Sequence, residues 1–166
     1  LSEVRKNGYY RALTEHDMPF LADSVHVLGS TEEDAAADRF QLGYQFGRRF
    51  PDLKNRPDAL FFYNDVVALG FLQGAGEKQI RVPEDVAIVG FDDTVIARYA
   101  SVPLTTIHQP VDQIGRLAVE ILQKRLEKGD VGNRTIFKPT LVVRDSCGAK
   151  KRTMVNQRES GVPAMD

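Results

Sequence analysis

The residue order predicts an α/β protein built on a mainly parallel sheet. Short runs rich in β-branched residues alternate with longer segments of helical spacing, and Pro, Gly, Asn and Asp punctuate the boundaries. One of the runs, residues 86–90 (VAIVG), is apolar throughout, as expected of a strand covered on both faces.

Residues 3–16 place Val4, Tyr9, Ala12 and Leu13 near helical spacing, and Pro19 stops that helix because it has no N–H to donate. Residues 24–28 (SVHVL) alternate and read as a strand. A loop at Gly29-Ser30-Thr31 follows, and Glu32, Glu33 and Asp34 match the positive end of a helix dipole, so a helix is expected from there to about Phe50. Residues 59–63 (ALFFY) form the next strand, opened by Pro57-Asp58 and closed by Asn64-Asp65 before the helical pattern 66–75. The run 86–90 follows Pro83-Glu84-Asp85 and belongs inside the sheet, and 105–108 is a further short strand. Val111, Ile114, Ala118, Ile121, Leu122 and Leu126 make a one-sided helical stripe ending at Gly129. Residues 135–137 and 140–143 read as two strands separated by Pro139, and the polar stretch 150–166 as a frayed tail.

The chain of 166 residues is long enough to bury a substantial core, and 42% hydrophobic with 27% charged residues is the balance of a soluble globular protein. No apolar run reaches the roughly 20 residues a membrane span needs, and the opening LSEVRKNGYY lacks a basic start followed by an apolar core, which disfavours export. Cys147, the single cysteine, cannot form an internal disulfide, which fits a reduced, cytoplasmic compartment. A formal net charge of −1 offers a polyanion no overall attraction, and the basic Lys150-Lys151-Arg152 in the tail reads as solvation.

Parallel sheets bind ligands at the carboxyl ends of their strands, which directs attention to residues 29–31, 63–65 and 90–94. Enzyme patterns are missing there. Gly74-Ala75-Gly76 follows a helical segment and lacks the third glycine of a dinucleotide fingerprint. Phe91-Asp92-Asp93-Thr94 is similar to aspartate-based phosphotransferase motifs, but its acids are adjacent rather than one residue apart. No G-x-S-x-G elbow or P-loop occurs, and His16, His26 and His108 have no metal-ligand spacing, so neither catalysis, a metal nor a cofactor is expected.

The runs ALFFYNDVVALG, RVPEDVAIVGFDD and PLTTIHQPVDQIG, with the later LVVRDS, agree in order and spacing with regulators of the LacI/GalR family. From Arg5 to Ser146 the chain resembles their C-terminal half. The resemblance implies an α/β, periplasmic-binding-protein-like (type I) fold: a three-layer parallel sheet, mostly the C-terminal lobe with a piece of the N-terminal lobe. Residues 1–103 would form the C-terminal lobe of the effector-binding domain, 104–138 the returning strand and helix of the N-terminal lobe, 139–148 the final return, and 149–166 a polar tail. It further implies a small-molecule effector, typically a sugar, held between lobes, and a homodimer. Operator DNA would be contacted only through an N-terminal helix-turn-helix head that this chain does not contain. The alternative is an exported sugar-binding protein on the same fold, serving transport or chemotaxis.

Carried over one residue at a time, Arg5 matches the arginine of an R-x-x-G-[FYW] helix, Asn64 the asparagine of N-D-x-x-A-x-G, and Asp92 the first acid of G-[FY]-D-D. Ser30 stands where many members carry an aromatic side chain, and Ala35 where a glycine is usual. The chemistry suits a sugar, because adjacent hydroxyls are met by an acceptor-only carboxylate, a donor-only guanidinium and an amide capable of both. Each charge-assisted bond contributes about 1.5–3 kcal/mol, so two or three suffice for roughly micromolar binding. Phe91 or Tyr63 can cover the C–H face of the ring. Asp65 is expected to cap its helix and Asp93 to be solvated or to cap a turn.

Overall fold

Helix boundaries in the computed structural model, which describes residues 2–21, 24–29, 38–129 and 134–149, follow local chemistry closely. Helix α1 (Ser2–Glu15) ends just before Asp17, whose left-handed backbone (φ 52°) turns the chain. Helix α2 (Arg39–Arg49) starts where the Asp38 carboxylate accepts the Gln41 N–H at 2.8 Å. The helix expected to run to about Phe50 is thus present from Arg39, where a side-chain oxygen reaches its first turn; its expected start at 32–34 falls on residues that are not described. Residues 30–37 lie outside the described residues. After a 3-10 turn (Phe50–Asp52) come β1 (Ala59–Phe61), α3 (Asp65–Glu77), β2 (Ala87–Asp92), the short α4 (Val95–Arg98), β3 (Thr105–His108), α5 (Val111–Lys128) and β4 (Thr140–Val142).

The sheet has the order β1-β2-β3-β4. The first three strands are parallel, with Phe61 opposite Val89 and Asp92 opposite His108, and β4 closes the sheet antiparallel to β3. The sheet is thus mixed. Residues 24–28 do not join it, and Val27 is 74% exposed: alternation alone does not secure a ladder partner. Residues 135–137 are likewise not a strand, and Ile136 is exposed. Strand β2 is interior, but only one of its faces is fully covered: Ile88 and Gly90 are buried, while Ala87, Val89 and Phe91 are half-buried.

The covered face meets α3, and α3 packs on α2. Their junction is unusually close. A Cβ built on Gly43 of α2 would overlap the Val67 carbonyl oxygen and stand 2.9 Å from its carbonyl carbon; one on Gly74 of α3 would meet the Tyr44 carbonyl in the same way at 3.0 Å. Gly47 and Gly70 repeat the arrangement, so two glycines four residues apart on each helix let the backbones touch. Beneath them Phe46, Phe50, Phe62 and Phe71 interlock in tilted and edge-to-face pairs with centroids 5.1–6.5 Å apart. Val67, Val86, Ile88 and Leu104 complete the core. Helix α5 ends at Gly129 (φ 81°) as expected, but Val111, Ile114, Leu122 and Leu126 of its apolar stripe are exposed.

Ser146 ties the chain's later part into this core. It is fully buried; its Oγ accepts the Thr105 N–H and donates to the Ile88 carbonyl, both at 2.8 Å, and its own carbonyl accepts the Ile88 N–H.

Candidate functional site

Because β1, β2 and β3 are parallel, their carboxyl ends bring Tyr63-Asn64, Phe91-Asp92-Asp93 and His108-Gln109 to the same edge of the sheet. Helix α1 adds Arg5. Its guanidinium lies over the Phe91 ring, 3.8 Å from the centroid, and donates to the Tyr63 carbonyl, so a cation–π contact and a hydrogen bond together fix the charge. The five described residues picked from the sequence, Arg5, Tyr63, Asn64, Phe91 and Asp92, therefore converge. Ser30 and Ala35 lie outside the described residues.

Asn64 is buried, and its Oδ1 accepts the Val67 N–H at 3.0 Å as the cap of α3. That bond engages one lone pair of the amide oxygen and leaves the amide N–H groups free of the cap. The capping expected of Asp65 is corrected accordingly. Asp65 is completely buried: Oδ2 accepts the Thr94 N–H at 2.7 Å and the Thr94 hydroxyl at 3.1 Å, while Oδ1 accepts the Thr106 hydroxyl at 2.5 Å. It pins the loop after β2 to β3. Gly90 makes room, since a Cβ there would overlap Asp65 Oδ1 and stand 2.9 Å from Leu104 Cδ2.

Asp92 and Asp93 both adopt positive φ, 115° and 52°. Such backbone costs about 1–3 kcal/mol per non-glycine residue and persists only where the surroundings over-determine it. Here they do. Asp92 Oδ1 accepts Gln109 Nε2 at 2.6 Å. The Asp93 side chain is only 4% exposed, correcting the expectation of a solvated acid, and it meets Arg144, His108 Nδ1 at 3.0 Å and Arg98 at 3.9 Å. Burial pushes its carboxyl up, but Arg144, His108 and Arg98 together outweigh this and hold it below the ordinary carboxylate range.

Sequence reasoning missed Gln109, Thr94, Thr106 and Arg144. Gln109 was within reach of the rule that found Asn64 and Asp92, because it follows directly on the third parallel strand. Among the described residues no group of three or more His, Cys, Asp or Glu side chains is placed to hold a metal, and no helix is long and apolar enough to cross a membrane.

Residues 1–147 match the family model described as periplasmic binding protein-like domain, and the chain belongs to that family. Within it the chain is similar to part of LacI-family regulators. The HTH-type transcriptional repressor PurR of Vibrio cholerae is 43% identical over 149 residues, covering 87% of this chain and 41% of that protein. The ribose operon repressor of Haemophilus influenzae is 42% identical over 147 residues, covering 88% and 42%. The chain thus spans about 40% of the length of the curated relatives it matches. These relatives are repressors, not enzymes, in line with the sequence reading. Among solved structures, a putative LacI-family regulator from Sanguibacter keddieii superposes with a TM-score of 0.77 at 36% identity, covering 89% of this chain and 54% of that one. A LacI-family regulator from Lactobacillus casei with bound sucrose gives 0.68 at 27% identity, covering 87% and 51%.

Proposed function

We propose that this chain forms one wall of an effector site in a cytoplasmic transcription repressor, that the effector is a polyhydroxylated molecule of the sugar class, and that operator DNA is contacted elsewhere in the protein. The observation that carries the reading is the convergence of a carboxylate (Asp92), a fixed guanidinium (Arg5) and amide donors (Asn64) at one edge of the sheet, with the Phe91 ring beside them. That set offers acceptor, charged donor and neutral donor to neighbouring hydroxyls. The sucrose held by the Lactobacillus casei relative and the name of the ribose operon repressor support the ligand class. The curated relatives' role as repressors favours regulation over transport.

In this reading residues 1–103 belong to one lobe, 104–138 supply a strand and helix to the other, and 139–148 return. The exposed stripe of α5 supports that division, because those side chains suit a layer of further helices or strands. The protein assembles as a homodimer; of the two stretches that the family resemblance offers as its surface, 66–72 has Val67, Ala68, Phe71 and Leu72 buried in the core, whereas Val95, Ile96 and Tyr99 of 95–99 are exposed by 74%, 65% and 81% and offer the apolar surface.

The test is calorimetric titration of the intact protein with D-ribose, D-glucose and sucrose. Asp92→Ala and Arg5→Ala should each weaken the sugar that binds by about 10–100-fold, the loss of one charged hydrogen-bonding partner. Unchanged affinity in both variants, or no heat with any of the three, refutes the site. Light scattering at micromolar concentration should report a dimer or tetramer, and a monomeric mass refutes the assembly.

A further inference from the structure

Gln109 occupies a position that the binding role of Asp92 does not explain. Its side chain donates to Asp92 Oδ1 at 2.6 Å, and its backbone carbonyl accepts the Val111 N–H at 2.8 Å. Val111 is the first residue of α5, and that helix has no side-chain cap: Pro110 stands at the cap position and provides only its carbonyl, which accepts the Ile114 N–H at 3.0 Å. The start of α5 is therefore held by the residue whose side chain rests on Asp92. His108, next to Gln109, is at the same time gripped by Asp93, so two consecutive acids after β2 hold two consecutive residues after β3.

We infer that Gln109 is a positioning residue that transmits the state of Asp92 to the first turn of α5. The inference rests on the effector-site reading. An acceptor-only carboxylate that takes up ligand hydroxyls has fewer lone pairs for the Gln109 amide, and a bidentate contact displaces it. Loss of that bond frees the Gln109 backbone, and with it the one carbonyl that orders Val111. Because α5 follows directly, a change of one hydrogen bond at the site becomes a change in where an 18-residue helix begins and points. The device needs no distant pathway, since bond, turn and helix are contiguous along residues 108–114.

The experiment is amide hydrogen exchange of residues 111–114 in the intact protein without added ligand, for wild type, Asp92→Ala, Gln109→Leu, Gln109→Glu and the Asp92→Ala/Gln109→Leu double variant. Each single variant should raise exchange there by about 5- to 10-fold, the effect of one moderately exposed charge-assisted bond. The double variant should show no more than the larger single effect. Unchanged exchange in either Asp92→Ala or Gln109→Leu, or effects that multiply in the double variant, overturns the inference. Gln109→Glu keeps the size of the side chain and places a carboxylate against a carboxylate, so it must behave as Gln109→Leu does. This outcome is independent of the titrations above: absence of sugar binding would refute the effector reading while the ligand-free exchange still decides whether Asp92 acts on α5 through Gln109.

Discussion

The contact between α2 and α3 makes an unusual prediction, because replacing Gly by Ala inside a helix ordinarily stabilises it. At Gly115 of α5, where a Cβ would meet nothing within 4 Å, Gly115→Ala should stabilise the protein by about 0.5–1 kcal/mol through backbone entropy alone. Gly76, near the end of α3 and equally unobstructed, should behave the same way. Gly43→Ala gains the same propensity but drives its methyl into the Val67 carbonyl, with the Phe71 N–H 3.0 Å away. Backbone cannot rotate aside as a side chain can, so the helices must part by about 1 Å, a gap that forfeits a quarter to a half of each dispersion contact across the junction. Overpacking of this kind costs about 1–3 kcal/mol, and separating Phe46 from Phe71 adds to it, so a net loss of about 2–3 kcal/mol is expected after the propensity gain. Urea unfolding followed by circular dichroism measures this as a lowered midpoint at unchanged slope. If Gly43→Ala proves as stable as Gly115→Ala, the close approach of the two backbones is wrong.

Two further expectations concern the site. Asn64→Ser keeps an oxygen to cap α3 and withdraws the amide donors, so unfolding free energy should fall by less than about 1 kcal/mol while affinity for the sugar identified by titration falls about 10-fold; loss of stability without loss of affinity would make Asn64 a cap only. The third concerns acid. The folded carboxyl of Asp93 is depressed below its ordinary value of 3.8, so its contribution is fully present above that pH and is lost as pH falls through the lower folded value. Urea midpoints should drop more steeply below pH 4 in the wild type than in Asp93→Asn, and equal slopes would remove Asp93 from the account.

Elements with strong periodicity were legible from residues alone. Val111 to Leu126 announced α5 through its spacing, and the apolar run 86–90 announced the interior strand, because each pattern identifies the backbone period even where the apolar face is left open, as it is along α5. The failures share a different cause. Alternation at 24–28 cannot say whether a sheet edge is present, and the acids at 32–34 cannot say which oxygen reaches an open N–H, a role that fell to Asp38. At the site, Asn64 and Asp65 are interchangeable by type as caps. Their roles divide only in three dimensions, where Thr94 and Thr106, 29 and 41 residues onward, converge on Asp65. Asn64 and Asp92 lay at strand ends, whereas Arg5 was found through family resemblance alone. Gln109 stands at the carboxyl end of the third parallel strand, outside the segments 29–31, 63–65 and 90–94. The glycine pairs of α2 and α3 went unread because spacing alone does not reveal that two such pairs face one another.

The buried Ser146 hydroxyl also sets an order of events for the nascent chain. Helices α2 and α3 with β1 and β2 are neighbours along the chain and can collapse together as they are synthesised, because closing short loops is entropically cheap. The Ile88 carbonyl and the Thr105 N–H cannot find this partner so early: it lies 58 residues after the first and 41 after the second. Until residue 146 has left the ribosome, β2 and β3 lack the hydroxyl that joins their backbones, and until residues 140–142 have done so β3 has an open edge where β4 later lies. An interrupted translation product ending before β4 would therefore retain the aromatic core while presenting an unpaired strand to chaperones and to other copies of itself.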